Sequence, residues 1–228
     1  FSHIQAAVVR YESVLPHGTG LGCSSTVTVR GQGFLSLNAA IASSAVPDSA
    51  QLSCGYGTSA VAKRPATVLD DTTLTCVTPE PTAIGTLPMR VDLTNGTGTN
   101  PGDWSLTAHH RTAFPNFAVF DPDVNLISSL SPEGGAYNQE PEVSLTGIFQ
   151  MSYGDPKCRF GNWTGDVIFN TTYNGTHVTC RKPRFPDSER VNVGSYPVSF
   201  SPNGQCFPSS TPASFLTYNS QVNTLEVN

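Results

Sequence analysis

Apolar and polar residues alternate along this chain in short runs. Val27 and Val29 alternate with Thr and Arg before Gly31, and Val143 and Leu145 alternate with Ser and Thr before Gly147. A period of two places the apolar side chains on one face of an extended strand. The glycine after each run is expected to end the strand or to form a bulge. Further strands are predicted around Gln51–Tyr56, Lys157–Gly161, Leu87–Leu93 and Gly194–Phe200. The segments entering Pro79 and Pro183, and the runs Trp104–Leu106, Phe114–Phe120 and Phe215–Tyr218, complete the set. Asn95-Gly96 and Asn203-Gly204 predict tight hairpins.

These elements occur twice in the same order. Cys54 and Cys76 stand 22 residues apart (76 − 54), and so do Cys158 and Cys180 (180 − 158). The second cysteine of each pair has similar flanks, Leu-Thr-Cys76-Val-Thr-Pro79 and Val-Thr-Cys180-Arg-Lys-Pro183. Repeated spacing with repeated flanks marks one structural unit used twice. Each unit reads as about seven short antiparallel strands, so the fold class is all-β, two tandem immunoglobulin-like β-sandwiches. The expected disulfides are Cys54–Cys76 and Cys158–Cys180, each tying neighbouring strands of one domain. The predicted boundaries are residues 9–120 for the first domain and 121–220 for the second. Phe1 lies as far before Pro16 as Phe117 lies before Pro132. Residues 1–8 therefore read as the closing strand of a preceding repeat and 221–228 as the start of a following one.

Composition narrows the functions. The chain has 228 residues, only 13% of them charged, with a net charge of −5. It offers no basic patch for a phosphate backbone, so no nucleic-acid partner is expected. No run approaches the ~18 apolar residues of a membrane helix, so this segment is not expected to insert directly in a membrane. Gly (20) and Pro (18) are abundant, as suits many turns. Four sequons, at Asn95, Asn162, Asn170 and Asn174, predict N-linked glycans and no other cofactor. With an even number of cysteines, they place the chain in the secretory pathway, extracellular or at the cell surface.

The order of motifs resembles the IPT/TIG domains, immunoglobulin-like units of plexins and some transcription factors. Leu15-Pro16-His-Gly18 and Leu130-Ser-Pro132-Glu-Gly134 match the first-strand motif of that family. The run from Val27 to Phe34, the run from Val143 to Phe149, and the two Cys-x-x-Pro segments match later ones. The first unit departs by a longer stretch between Phe34 and Cys54, rich in Ala and Ser. The resemblance implies a scaffold or adhesion role and supplies no active site.

Other residues carry weaker signals. Cys23 and Cys206 have no counterparts in the opposite unit. They are expected to form inter-repeat or inter-chain bonds, with a direct Cys23–Cys206 bond or other thiol states as alternatives. Asp121, Asp123 and Asn125 suggest a calcium linker, but three ligands in sequence are too few, and a polar linker held by Pro122 is the plainer reading. His109-His110 reads as a solvated pair, and Asp70-Asp71 as a turn. Ser209 to Pro212 could carry O-linked sugars. No nucleophile, metalloprotease or phosphate-loop motif occurs, so no enzyme is expected. The expected function is a structural segment of a tandem-repeat glycoprotein building a surface fibre or stalk. Its partners would be neighbouring repeats or other copies in a filament. A ligand-binding ectodomain of an adhesion protein or receptor is the alternative, and an accessory module of a carbohydrate-active enzyme a third reading.

Overall fold

The alternation seen in the sequence is the alternation of burial. In the strand Thr26–Gln32, Val27 and Val29 are fully buried while their neighbours face outward, and in Glu142–Ile148 Val143 and Leu145 take the same places. The computed structural model describes residues 10–35, 50–57, 63–95, 117–150, 152–168, 175–185, 193–211 and 213–219. The chain divides into two compact units between Phe120 and Asp121.

Unit 1 contains β1 (Arg10–Leu15), β2 (Gly18–Gly20), β3 (Thr26–Gln32), β4 (Ala50–Tyr56), β5 (Lys63–Val68), β6 (Thr73–Val77), β7 (Gly85–Leu87), β8 (Met89–Asn95) and β9 (Phe117–Phe120). They form a six-stranded sheet, β1-β3-β6-β5-β4-β8, and a three-stranded sheet, β2-β9-β7. Unit 2 contains β10 (Leu126–Ser131), β11 (Gly134–Ala136), β12 (Glu142–Ile148), β13 (Lys157–Phe160), β14 (Trp163–Asp166), β15 (His177–Arg181), β16 (Gly194–Ser201) and β17 (Ser214–Tyr218). Its sheets are β10-β12-β15 and β11-β17-β16-β13-β14. Both units are immunoglobulin-like β-sandwiches.

The duplication extends to irregularities. In each unit the first strand pairs with the third, leaves that sheet at a cis X-Pro bond (Leu15-Pro16, Ser131-Pro132), and joins the other sheet. There β2 runs parallel to β9, and β11 runs parallel to β17. This corrects the expectation of wholly antiparallel units. The switch lets one strand close both sheets, and after it the chain runs alongside the closing strand in the same direction.

The glycines also behave differently from expectation. Gly31 and Gly147 lie inside their strands, and the register shift sits on the partner, between Tyr11 and Ser13 and between Ile127 and Ser129. At Gly147 the partner comes so close that an added Cβ would lie 2.0 Å from the Leu126 carbonyl oxygen. Glycine is there to admit the neighbouring backbone.

The disulfides join Cys54 to Cys76 and Cys158 to Cys180, each with Cα atoms 6.2 Å apart. They do not tie adjacent strands. In unit 1 β5 lies between β4 and β6, and in unit 2 β13 and β15 belong to different sheets. All four cysteines are buried in the cores; Cys158–Cys180 ties the two sheets of unit 2, and Cys54–Cys76 ties the strands on either side of β5. The second sandwich also packs Phe160 edge-on to Phe215, and Phe149 edge-on to Phe200.

Asn203-Gly204 does turn the chain, with Gly204 at φ +71, but it does not make a two-residue hairpin. β16 ends at Ser201 and β17 begins at Ser214. The connection is held by side chains: Asn203 Oδ1 accepts from the backbone N–H of Gln205 and Cys206, and the Thr211 hydroxyl donates to the Val198 carbonyl. Arg159 lies over the Phe207 ring, 4.4 Å from its centroid. Local turn chemistry was right, and the side-chain anchors of a longer loop overrode the hairpin.

Candidate functional site

The chemistry of unit 2 gathers around the β13–β14 hairpin. Phe160 pairs with Trp163, leaving Gly161 and Asn162 as a two-residue turn. Gly161 has φ +62, and a Cβ there would meet Tyr196 Cδ1 at 2.8 Å. Glycine at this position therefore determines how the tip is built. Asn162 in the turn and Thr164 beyond it are exposed, and Trp163 is partly buried. The Trp163 ring stacks on Phe185 with centroids 4.2 Å apart and meets Tyr196 edge-on.

Beneath this aromatic group lies Lys182, fully buried. Its ammonium donates to the carbonyls of Tyr137 (3.0 Å), Gln139 (3.1 Å) and Pro183 (3.0 Å), and sits 4.0 Å from the Phe185 ring centroid. Burial pushes its pKa down to about 8, with the nearby Glu140 carboxylate opposing the shift. Three carbonyls and a ring face hold the charge that burial disfavours. In unit 1 the same position after the second cysteine is Thr78, also buried. The Thr78 hydroxyl oxygen accepts from the Ser25 N–H at 2.8 Å, and the Ser25 hydroxyl bonds Thr19 at 2.7 Å. In both units the backbone repeats: Thr78 N–H donates to the Ser25 carbonyl, and Lys182 N–H donates to the Pro141 carbonyl.

A cleft of about 300 Å³ is lined by residues 164–166 of β14 and by residues 181–184, with Glu140 at one side. Its charges are largely paired. Asp166 accepts from Lys157 at 2.8 Å, Lys157 also reaches Asp155 at 3.0 Å, and Arg181 faces Glu142 at 3.7 Å. The hydrogen bond to Asp166 raises the Lys157 pKa, and the same bond lowers that of Asp166. Gly165 lets the chain pass here, since a Cβ would lie 2.0 Å from the Arg181 carbonyl oxygen.

The residues singled out from sequence fall in different places. Asn162 is exposed at the hairpin tip. Asn95 ends β8, and its side chain lies outside the described residues, as do Asn170, Asn174, His109 and His110. Cys23 and Cys206 are both in disulfide linkage, and no cysteine is free among the described residues. The three residues of the linker are engaged within unit 2. Asp121 Oδ1 accepts from the Asp123 N–H and caps a short 3-10 turn at Pro122–Val124. Asp123 accepts from the backbone and hydroxyl of Ser209, at 2.8 and 3.1 Å. Asn125 is buried, donates to the Pro122 carbonyl and accepts from the Gln150 N–H. Asp70 and Asp71 form the β5–β6 turn: Asp70 accepts from the Thr72 N–H and hydroxyl, both at 2.7 Å, which lowers its pKa. Asp71 reaches further, accepting from the N–H groups of Gly33 and Leu35. Among the described residues no three His, Cys, Asp or Glu side chains gather as a metal site would require.

Lys182 and the cleft are what reading the sequence missed. The signal was available: aligned against buried Thr78, a lysine in a position that alternation assigns to the interior is anomalous.

No protein-family model matches this chain, and no curated protein matches it. Solved structures do. The plexin A4 full extracellular region, domains 1 to 10, matches 96% of this chain and 16% of that one, with a TM-score of 0.53 and 13% identity. A second structure of that region, domains 1 to 8, matches 95% of this chain and 19% of that one, at TM-score 0.50 and 12% identity. The chain thus spans less than a fifth of each of these two plexin structures. At such identity the likeness concerns the fold, an immunoglobulin-like arrangement of the plexin type.

Proposed function

We propose that this chain is a structural segment of an extracellular glycoprotein. In this reading its two sandwiches are IPT/TIG domains of a tandem array that builds a cell-surface fibre or stalk, with no catalytic role. The observation that carries the reading is the oxidised state of the cysteines, above all the two bonds buried in the two sandwich cores. Such ties belong to oxidising compartments. The exposed sequon at Asn162, the paired charges of the cleft and the plexin-type fold support it. Partners would be neighbouring repeats or other copies in a filament, and a net charge of −5 speaks against nucleic acid.

Electron microscopy of the native material tests the proposal. Filaments with an axial repeat are expected. Separate membrane-anchored particles would overturn it in favour of a ligand-binding ectodomain. The cleft beside β14 is the feature that favours this second reading.

A further inference from the structure

The hairpin tip is a modification site in its geometry as well as in its sequence. Asn162, the second turn residue, and Thr164, in β14, are both exposed, while Trp163 between them packs onto Phe185 and Tyr196. Anchoring the central residue of Asn162-Trp163-Thr164 presents its two polar residues to solvent. Gly161, required by its φ of +62 and by the Tyr196 ring, keeps the turn at two residues. The tip stands on β14, which among the described residues is the end strand of the order β11-β17-β16-β13-β14, with the chain pairing on only past it, Val167 with Cys180. An end strand leaves backbone donors and acceptors that another chain can pair with, and protecting such edges is a general requirement.

We propose that Asn162 carries an N-linked oligosaccharide and that this sugar keeps a second chain off the outer edge of β14. The inference rests on the secreted reading above. The donor class is an oligosaccharide carried on a polyprenyl diphosphate. A bond forms between Asn162 Nδ2 and sugar C1 as the C1–O bond to the diphosphate breaks. The diphosphate leaves with the electron pair, and the amide proton passes to solvent.

The test uses the full chain secreted from eukaryotic cells, with glycopeptide mass spectrometry at all four sequons. Asn162 modified in most molecules is the expected result. A bare Asn162 beside a glycan on Asn95, Asn170 or Asn174 overturns this inference and leaves the secreted reading standing. Four bare sequons overturn both. N162Q and T164A each remove the glycan, and circular dichroism checks that each variant folds. Light scattering is then expected to show several-fold more self-associated protein in both variants, and in enzymatically deglycosylated wild type, than in the glycosylated chain. Equal association in all of them overturns the edge-masking role.

Discussion

Lys182 and Thr78 show one backbone position solved in two ways. The fold needs a buried polar group there, because the loop before the third strand of each unit presents backbone groups to the interior. Thr78 meets one N–H with a hydroxyl, and Lys182 meets three carbonyls with an ammonium. Replacing Lys182 with methionine keeps much of the volume and strands those carbonyls. K182M is expected to cost about 3 kcal/mol in urea-induced unfolding, since buried polar groups without partners carry their full desolvation penalty. The cost should depend on pH with a definite sign. The folded-state pKa is about 8 against an ordinary 10.5, so between these values the unfolded chain holds more protons than the folded one. Stability from this group therefore rises with pH across that window. The gap between wild type and K182M should widen from pH 8 upward. A gap that narrows would contradict the assignment.

Elements are governed by close backbone contacts. β12 can pass the bulged β10 only because Gly147 has no Cβ. G147A should destabilise unit 2 by about 2 kcal/mol, the usual cost of forcing an atom into packed structure, and calorimetry would show it as a lowered transition. The equivalent Gly31 faces Tyr11 at the matching shift in unit 1. The two buried disulfides are the other governing feature. Each closes a separation of 22 residues. The paired substitution C158A/C180A is expected to remove roughly 3 kcal/mol, by restoring loop freedom to the unfolded chain.

For the molecule as a whole, the duplication means two cores, each with its own disulfide and its own aromatic packing. C158A/C180A should accelerate hydrogen exchange in β12 and β15 while leaving β3 and β6 at wild-type protection. Equal acceleration in both units would show that they do not unfold separately. The strand alternation that places Val27, Val29, Val143 and Leu145 inside was legible in the chain, because it depends on residues two apart. So were the turns at Asp70 and at Gly204, which depend on local backbone needs. The two-residue hairpin expected at Asn203 gives way to a longer loop whose anchors include Asp123, far away in sequence, which holds Ser209.

The amino-acid order by itself determined the all-β class, the twofold repetition and the buried faces of β3 and β12, since these follow from short-range periodicity and spacing. Only the tertiary structure decided the parallel pairing of β2 with β9 and of β11 with β17, the strand lying between the bonded cysteines, and the carbonyls that enclose Lys182. Those outcomes depend on which distant segments pack together, and burial turns a lysine that would be solvated in the open chain into a cross-link between loops.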